Sequence, residues 1–210
     1  MTRLLSATAP SVRTFSTIAI ACLVLTGPAF AQDPAQVQRW FESGRFQQVA
    51  AAASPEAPPE VRYLAGQSLL KQNAPAQAAE VFAGLATLPE SNPWRFIGRA
   101  AELLVQNQFD DALANARQAV ALNGDLTEAH YELGLVHFWR SEWAEAAQAF
   151  TRAAALNPRF AYAHYYGGLA QSKAGRPDLM ATEFEAFLRT APEAPERAEV
   201  TQVMRSIRGR

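Results

Sequence analysis

The stretch Thr127 to Pro158, TEAHYELGLVHFWRSEWAEAAQAFTRAAALNP, decides the fold, because its landmarks return at a fixed interval. Gly134, Phe150 and Pro158 all reappear the same distance along the chain, as Gly168, Phe184 and Pro192. Self-similarity at a fixed period marks a chain of stacked units, each hiding its apolar face only against its neighbours. Composition agrees with a folded molecule. The chain has 210 residues, 49% of them hydrophobic and 19% charged, with a net charge of −1. That is long enough for one or two globular units, and it lacks the basic excess of a nucleic-acid binder.

The repeated stretch resembles the tetratricopeptide repeat, and the interval between its landmarks is that family's period. The family's small-residue places are filled by Gly134, Ala146 and Ala153, and its large-residue places by His130, Leu133, Trp143 and Phe150. The packing logic agrees with the resemblance. Two antiparallel helices approach closely only where small residues sit at the crossing, and a bulky side chain of one then fills the groove of the other. The implied fold is all-α: a right-handed superhelix (solenoid) of antiparallel helix pairs with a C-terminal capping helix. The resemblance covers most of residues 35–192.

Residues 1–31 read as an export signal. Arg3 and Arg13 precede the apolar run Ile18–Leu25, Gly27-Pro28 breaks it, and Ala29-Phe30-Ala31 offers an A-x-A cleavage site before Gln32. The run is far shorter than the ~20 residues of a membrane span. A lipid anchor at Cys22 is a weaker alternative, since Cys22 lies inside the apolar run. Cleavage removes two arginines and no acid, leaving 17 basic and 20 acidic residues and no cysteine. The mature chain is therefore held by packing alone, and an oxidising compartment costs it nothing. Together with the resemblance this points to a bacterial periplasm.

Residues 32–58 are expected to form a degenerate first hairpin, with Val37, Trp40 and Phe41 on one face, a turn at Ser43-Gly44, and the proline-marked Ser54–Pro59 closing it. Four fuller units are expected at about 59–92, 93–126, 127–160 and 161–192. Turns fall near Asn73-Ala74-Pro75 and Ala174–Pro177, and Asn123-Gly124 suits a left-handed helix closure. Pro177 fits the first turn of a helix, and Gly167-Gly168 marks either local looseness or a tight crossing. Residues 193–210 follow as a capping helix, with Val200, Val203, Met204 and Ile207 at helical spacing, and a basic tail of Arg205, Arg208 and Arg210.

No motif for catalysis stands out. There is no phosphate-binding glycine loop, cysteine pair or serine elbow, and the carboxylates read as polar-face residues in no paired arrangement. An enzyme is not expected, nor a cofactor. His130, His137 and His164 share a helical face or a repeat position, but each stands where the repeat wants a large packing residue, so no metal site is assigned.

The resemblance places the leading helices along a concave groove. Carrying its groove-facing positions over gives Tyr63, Trp94, Ile97, Tyr131, Leu135, Phe138, Trp139, Tyr162, Tyr165 and Leu169, an aromatic and apolar strip, with Gln67, Lys71, Ala101, Val105 and Lys173 at the remaining groove-facing places. Relatives that clamp a chaperone's terminal carboxylate carry Lys with Asn or Arg at these places, and Tyr131 and Leu135 stand there instead. The implied function is an adaptor that binds a protein or peptide segment in this groove, in assembly of an envelope complex. Packing of the strip, or its cover by the N-terminal hairpin, is the bland reading. A homo-oligomer assembling through the end repeats is the alternative function. No nucleic-acid partner is expected, and three tail arginines are too few to argue for membrane contact.

Overall fold

Prolines and turn residues divide the described residues into helices of 11 to 14 residues, preceded by two shorter ones of 9 and 6. In the computed structural model, which describes residues 33–208, α1 spans Pro34–Glu42, α2 Phe46–Ala51, α3 Pro59–Lys71 and α4 Pro75–Leu85. Helices α5 (Pro93–Val105), α6 (Phe109–Leu122), α7 (Thr127–Trp139) and α8 (Trp143–Leu156) follow, then α9 (Ala161–Lys173), α10 (Pro177–Thr190) and α11 (Arg197–Arg208). No strand occurs among the described residues. The expected export segment and its cleavage point lie outside those residues, as does Arg210. No helix among the described residues is long and apolar enough to cross a membrane.

Helix starts follow proline chemistry. Pro34, Pro59, Pro75, Pro93 and Pro177 each occupy a first-turn position, where a missing N–H goes unmissed. Asp33 and Asn92 cap their helices by accepting the N–H of Ala35 and of Trp94, at 3.1 and 3.0 Å.

The hairpin turns repeat in register. Asn73, Asn107, Ser141 and Gly175 all have φ between 58° and 74°, and they stand at equivalent positions of successive repeats. In each turn the following N–H reaches back to a carbonyl near the end of the leading helix: Ala74 to Leu69, Gln108 to Leu103, Glu142 to His137 and Arg176 to Gln171, all at 2.9 Å. This closes the leading helix through a left-handed residue. Ser141 is the costly member, because a side chain without the amide of asparagine gains little there. Asn123 does not behave as expected from its Asn-Gly sequence. It is extended, with φ −148°, and its side chain accepts the N–H of Asp125 at 3.0 Å. Asn157, its equivalent in the next repeat, takes the N–H of Arg159 the same way, so the step between units is an Asx turn and not a left-handed closure.

Small residues let the paired helices touch. A Cβ added at Gly134 would stand 2.6 Å from the Phe150 ring, and Gly66 and Gly168 face Phe82 and Phe184 in the same way. The spacing along the chain is identical in the three pairs. The second unit solves the same crossing differently: Ala100 and Ala116 occupy the equivalent places, both fully buried, in a cluster with Leu103, Ala112 and Val136. Where the glycine gains a methyl group, the phenylalanine has become alanine.

The odd-numbered helices turn inward and meet across the coil. Tyr63 of α3 reaches α7, Lys71 of α3 lies against the tyrosines of α9, and Phe41 of α1 packs on Tyr162 of α9 with ring centroids 4.8 Å apart. The Ala161 N–H also donates to Glu42 at 3.2 Å. At the other end of the chain, Val200 and Met204 of α11 are buried in the same core. The first hairpin therefore packs on the fourth unit, and the turn at Gly44 sits against Pro195.

Candidate functional site

This winding divides the inner face into a closed half and an open half. Six of the ten groove residues expected from sequence are core: Tyr63, Ile97, Tyr131, Leu135, Tyr162 and Tyr165 are all at most 8% exposed. They are not an open aromatic strip. Tyr131 packs on Phe160 and Phe150 with centroids 4.8 and 5.7 Å apart, and Tyr162 is covered by Phe41 of the first hairpin. Trp94, Phe138 and Leu169 are half-buried against that core, and Trp94 stacks obliquely on Tyr63. Trp139 alone among the ten is exposed, at 60%. The reason lies in the tight coil: once α3, α7 and α9 meet across the axis, these inward-facing side chains have almost no solvent left to face.

The last turns remain open. Leu70 from α3, Leu104 and Val105 from α5, and Trp139 from α7 form an apolar trough of about 330 Å³, with Pro75, Asn107 and Phe109 along its side. Trp139 also borders a shallower depression in which Asp110, Asp111 and Arg140 lie, where Arg140 pairs with Asp110 and with Glu142. Inward, the trough shares Leu70, Leu104 and Trp139 with a smaller cavity of about 180 Å³, which reaches Gln67, Lys71, Leu135, Tyr166 and Glu132.

Glu132 was not legible as a site residue, and the expectation that every carboxylate lies on a polar face fails here. Its side chain is fully buried. Oε2 accepts the Tyr63 hydroxyl at 2.7 Å, with Gln67 Nε2 at the 3.5 Å limit, and Oε1 has no hydrogen-bond partner among the described residues. Burial pushes its pKa up to about 7, although the Tyr63 hydrogen bond works the other way. Burial, reinforced by the Glu132 carboxylate, also raises the Tyr63 phenol well above its usual value. A signal did exist in the sequence. Glu132 sits in YELGLVHFW, a stretch with apolar residues on every side of the helix, and such a helix is buried over most of its length, here up to its last turn.

Lys71 does not neutralise it. Its ammonium donates to Glu196 at 2.7 Å and rests 4.5 Å from the centre of the Tyr162 ring, with Tyr165 and Tyr166 at 5.6 and 5.5 Å. Tyr162 donates to the other oxygen of Glu196 at 2.9 Å. The segment leading into α11 thus ties α3 to α9. The histidines also have local roles. His130 meets the Gly124 carbonyl, His164 meets Glu183 at 2.7 Å, and His137 meets Glu142 at 2.6 Å.

A family model described as tetratricopeptide repeat matches residues 127–160. Over 129 residues, 57% of this chain, the sequence is 34% identical to the cytochrome c-type biogenesis protein CycH of Bradyrhizobium diazoefficiens. It is 32% identical over 82 residues, 39% of the chain, to the Hsp70-Hsp90 organizing protein of Triticum aestivum. These matches span only 34% and 14% of the two relatives' lengths. Among solved structures, the tetratricopeptide-repeat protein TTC0263 of Thermus thermophilus superposes with a TM-score of 0.58 at 17% identity, over 81% of this chain and 98% of that one. That likeness shows the fold.

Proposed function

The chain belongs to the tetratricopeptide-repeat family, and from that premise we propose that it is a non-catalytic adaptor that binds a segment of a partner protein in the trough around Trp139. The observation carrying this reading is the exposure of one large aromatic at the edge of an apolar depression, on an inner face whose other aromatics are buried or half-buried. Aromatic side chains at the centre of a desolvating pocket dominate binding energy, and leaving Trp139 in water has no structural benefit. The site is smaller than the full inner face and lies at the last turns of α3, α5 and α7.

The periplasm and assembly of an envelope complex are the compartment and process that fit. The reasons are the export signal read in residues 1–31 and the match to a protein named for cytochrome c-type biogenesis. Capture from an envelope extract tests this. The full chain and Arg117→Ala, an exposed change on the outer helix α6, should retain the same partner, and Trp139→Ala should lose it. Retention of the same proteins by Trp139→Ala would defeat the reading. Light scattering tests the alternative of self-assembly through the end repeats, which a single-chain mass would rule against.

A further inference from the structure

We propose that the Glu132 carboxylate is the recognition point for one basic side chain, lysine or arginine, carried by the bound segment between apolar residues. This rests on the trough around Trp139 being the binding site. A buried carboxylate is normally paired, because removing it from water without a partner is expensive. Here one oxygen has no partner among the described residues, and the side chain lies in the wall of a cavity that opens into the trough. At about 30 Å³ for each water, the 180 Å³ of that cavity accommodate a long unbranched side chain.

The walls suit a cation. Trp139 and Tyr166 line the cavity with Glu132, and aromatic faces attract ammonium and guanidinium groups. Tyr166 already does this for Lys71, with 5.5 Å from ammonium to ring centre. Lys71 itself is withheld from Glu132 by its 2.7 Å ion pair with Glu196, so the chain holds the cation of the cavity wall away from the unpaired oxygen. Leu70, Leu104 and Trp139 at the mouth would take the apolar neighbours of the basic residue. A pKa raised to about 7 agrees with a carboxylate that lacks its counter-charge until the partner arrives.

A degenerate, amidated nine-residue peptide library, passed over the immobilised full chain at pH 8 and sequenced after elution, tests this. Lysine or arginine should be enriched about ten-fold at one position, with apolar residues enriched beside it, the factor expected for one charge-assisted hydrogen bond. Glu132→Gln keeps the shape and the Tyr63 contact, and should abolish the basic enrichment while leaving the apolar one intact. Apolar enrichment without a basic preference, or basic enrichment that survives Glu132→Gln, would overturn the assignment and leave the trough reading standing. Absence of any enrichment that depends on Trp139, checked with Trp139→Ala, would overturn both.

Discussion

Replacing Glu132 by glutamine should stabilise the protein in neutral and basic solution and leave it unchanged in acid. The sign follows from burial. The folded-state pKa is about 7 and the unfolded value 4.5, so between those pH values the unfolded chain has released the proton that the folded chain still holds. Stability therefore falls as pH rises from about 4.5 to 7, and the loss is complete above the folded pKa. At about 1.4 kcal/mol for each pH unit between the two values, the loss comes to about 3 kcal/mol by pH 8. Glutamine offers Tyr63 the same acceptor and carries no charge to bury. Urea unfolding of both proteins from pH 5 to 8 reads the effect, and taking the difference between the two cancels every titration they share. The two curves should differ by less than about 1 kcal/mol at pH 5 and by about 3 kcal/mol at pH 8. Parallel curves, or a glutamine variant that is less stable at pH 8, would refute the claim that this carboxylate is buried without compensation.

Other substitutions test the packing residue by residue. Gly168→Ala should destabilise by several kcal/mol, since its Cβ overlaps the buried Phe184 ring, whereas Gly167→Ala meets only ordinary contacts at 3.5 Å and should be neutral or stabilise by up to about 1 kcal/mol through helix propensity. Thermal unfolding separates these neighbours. Ser141→Gly, at φ 62°, should raise stability by about 1 kcal/mol, and Ser141→Asn, matching the equivalent turns, by somewhat less. Tyr131→Ala should cost about 3–5 kcal/mol of folding stability, while Trp139→Ala should leave the urea midpoint near its starting value, because one ring is core and the other lies in solvent.

The repeat architecture was legible because it rests on local rules. Glycine opposite phenylalanine, proline at helix starts and turn residues once per repeat are visible in one dimension, and the family resemblance names the same pattern. The turn residue at the left-handed position was less visible, since Asn73, Asn107, Ser141 and Gly175 share a conformation but not an identity. The candidate site was legible only in part. Whether an inner face is open depends on how far the coil winds, and that is set by contacts between residues far apart in sequence: Tyr63 with Glu132, Lys71 with Glu196, Phe41 with Tyr162. A row of tyrosines reads the same whether it lines a groove or fills one. Trp139 was found by position; its partners Leu70 and Leu104 and the buried Glu132 needed the winding.

Photo-crosslinking in the living cell tests the central claim most directly. A photoreactive p-benzoylphenylalanine at Val105, in the trough wall, is compared with one at Gln118, exposed on the outer helix α6. The account predicts a discrete adduct with a second protein from position 105, lost when Trp139→Ala is added, and none from position 118. Adducts from position 118 alone, or a position-105 adduct that Trp139→Ala leaves intact, would contradict it.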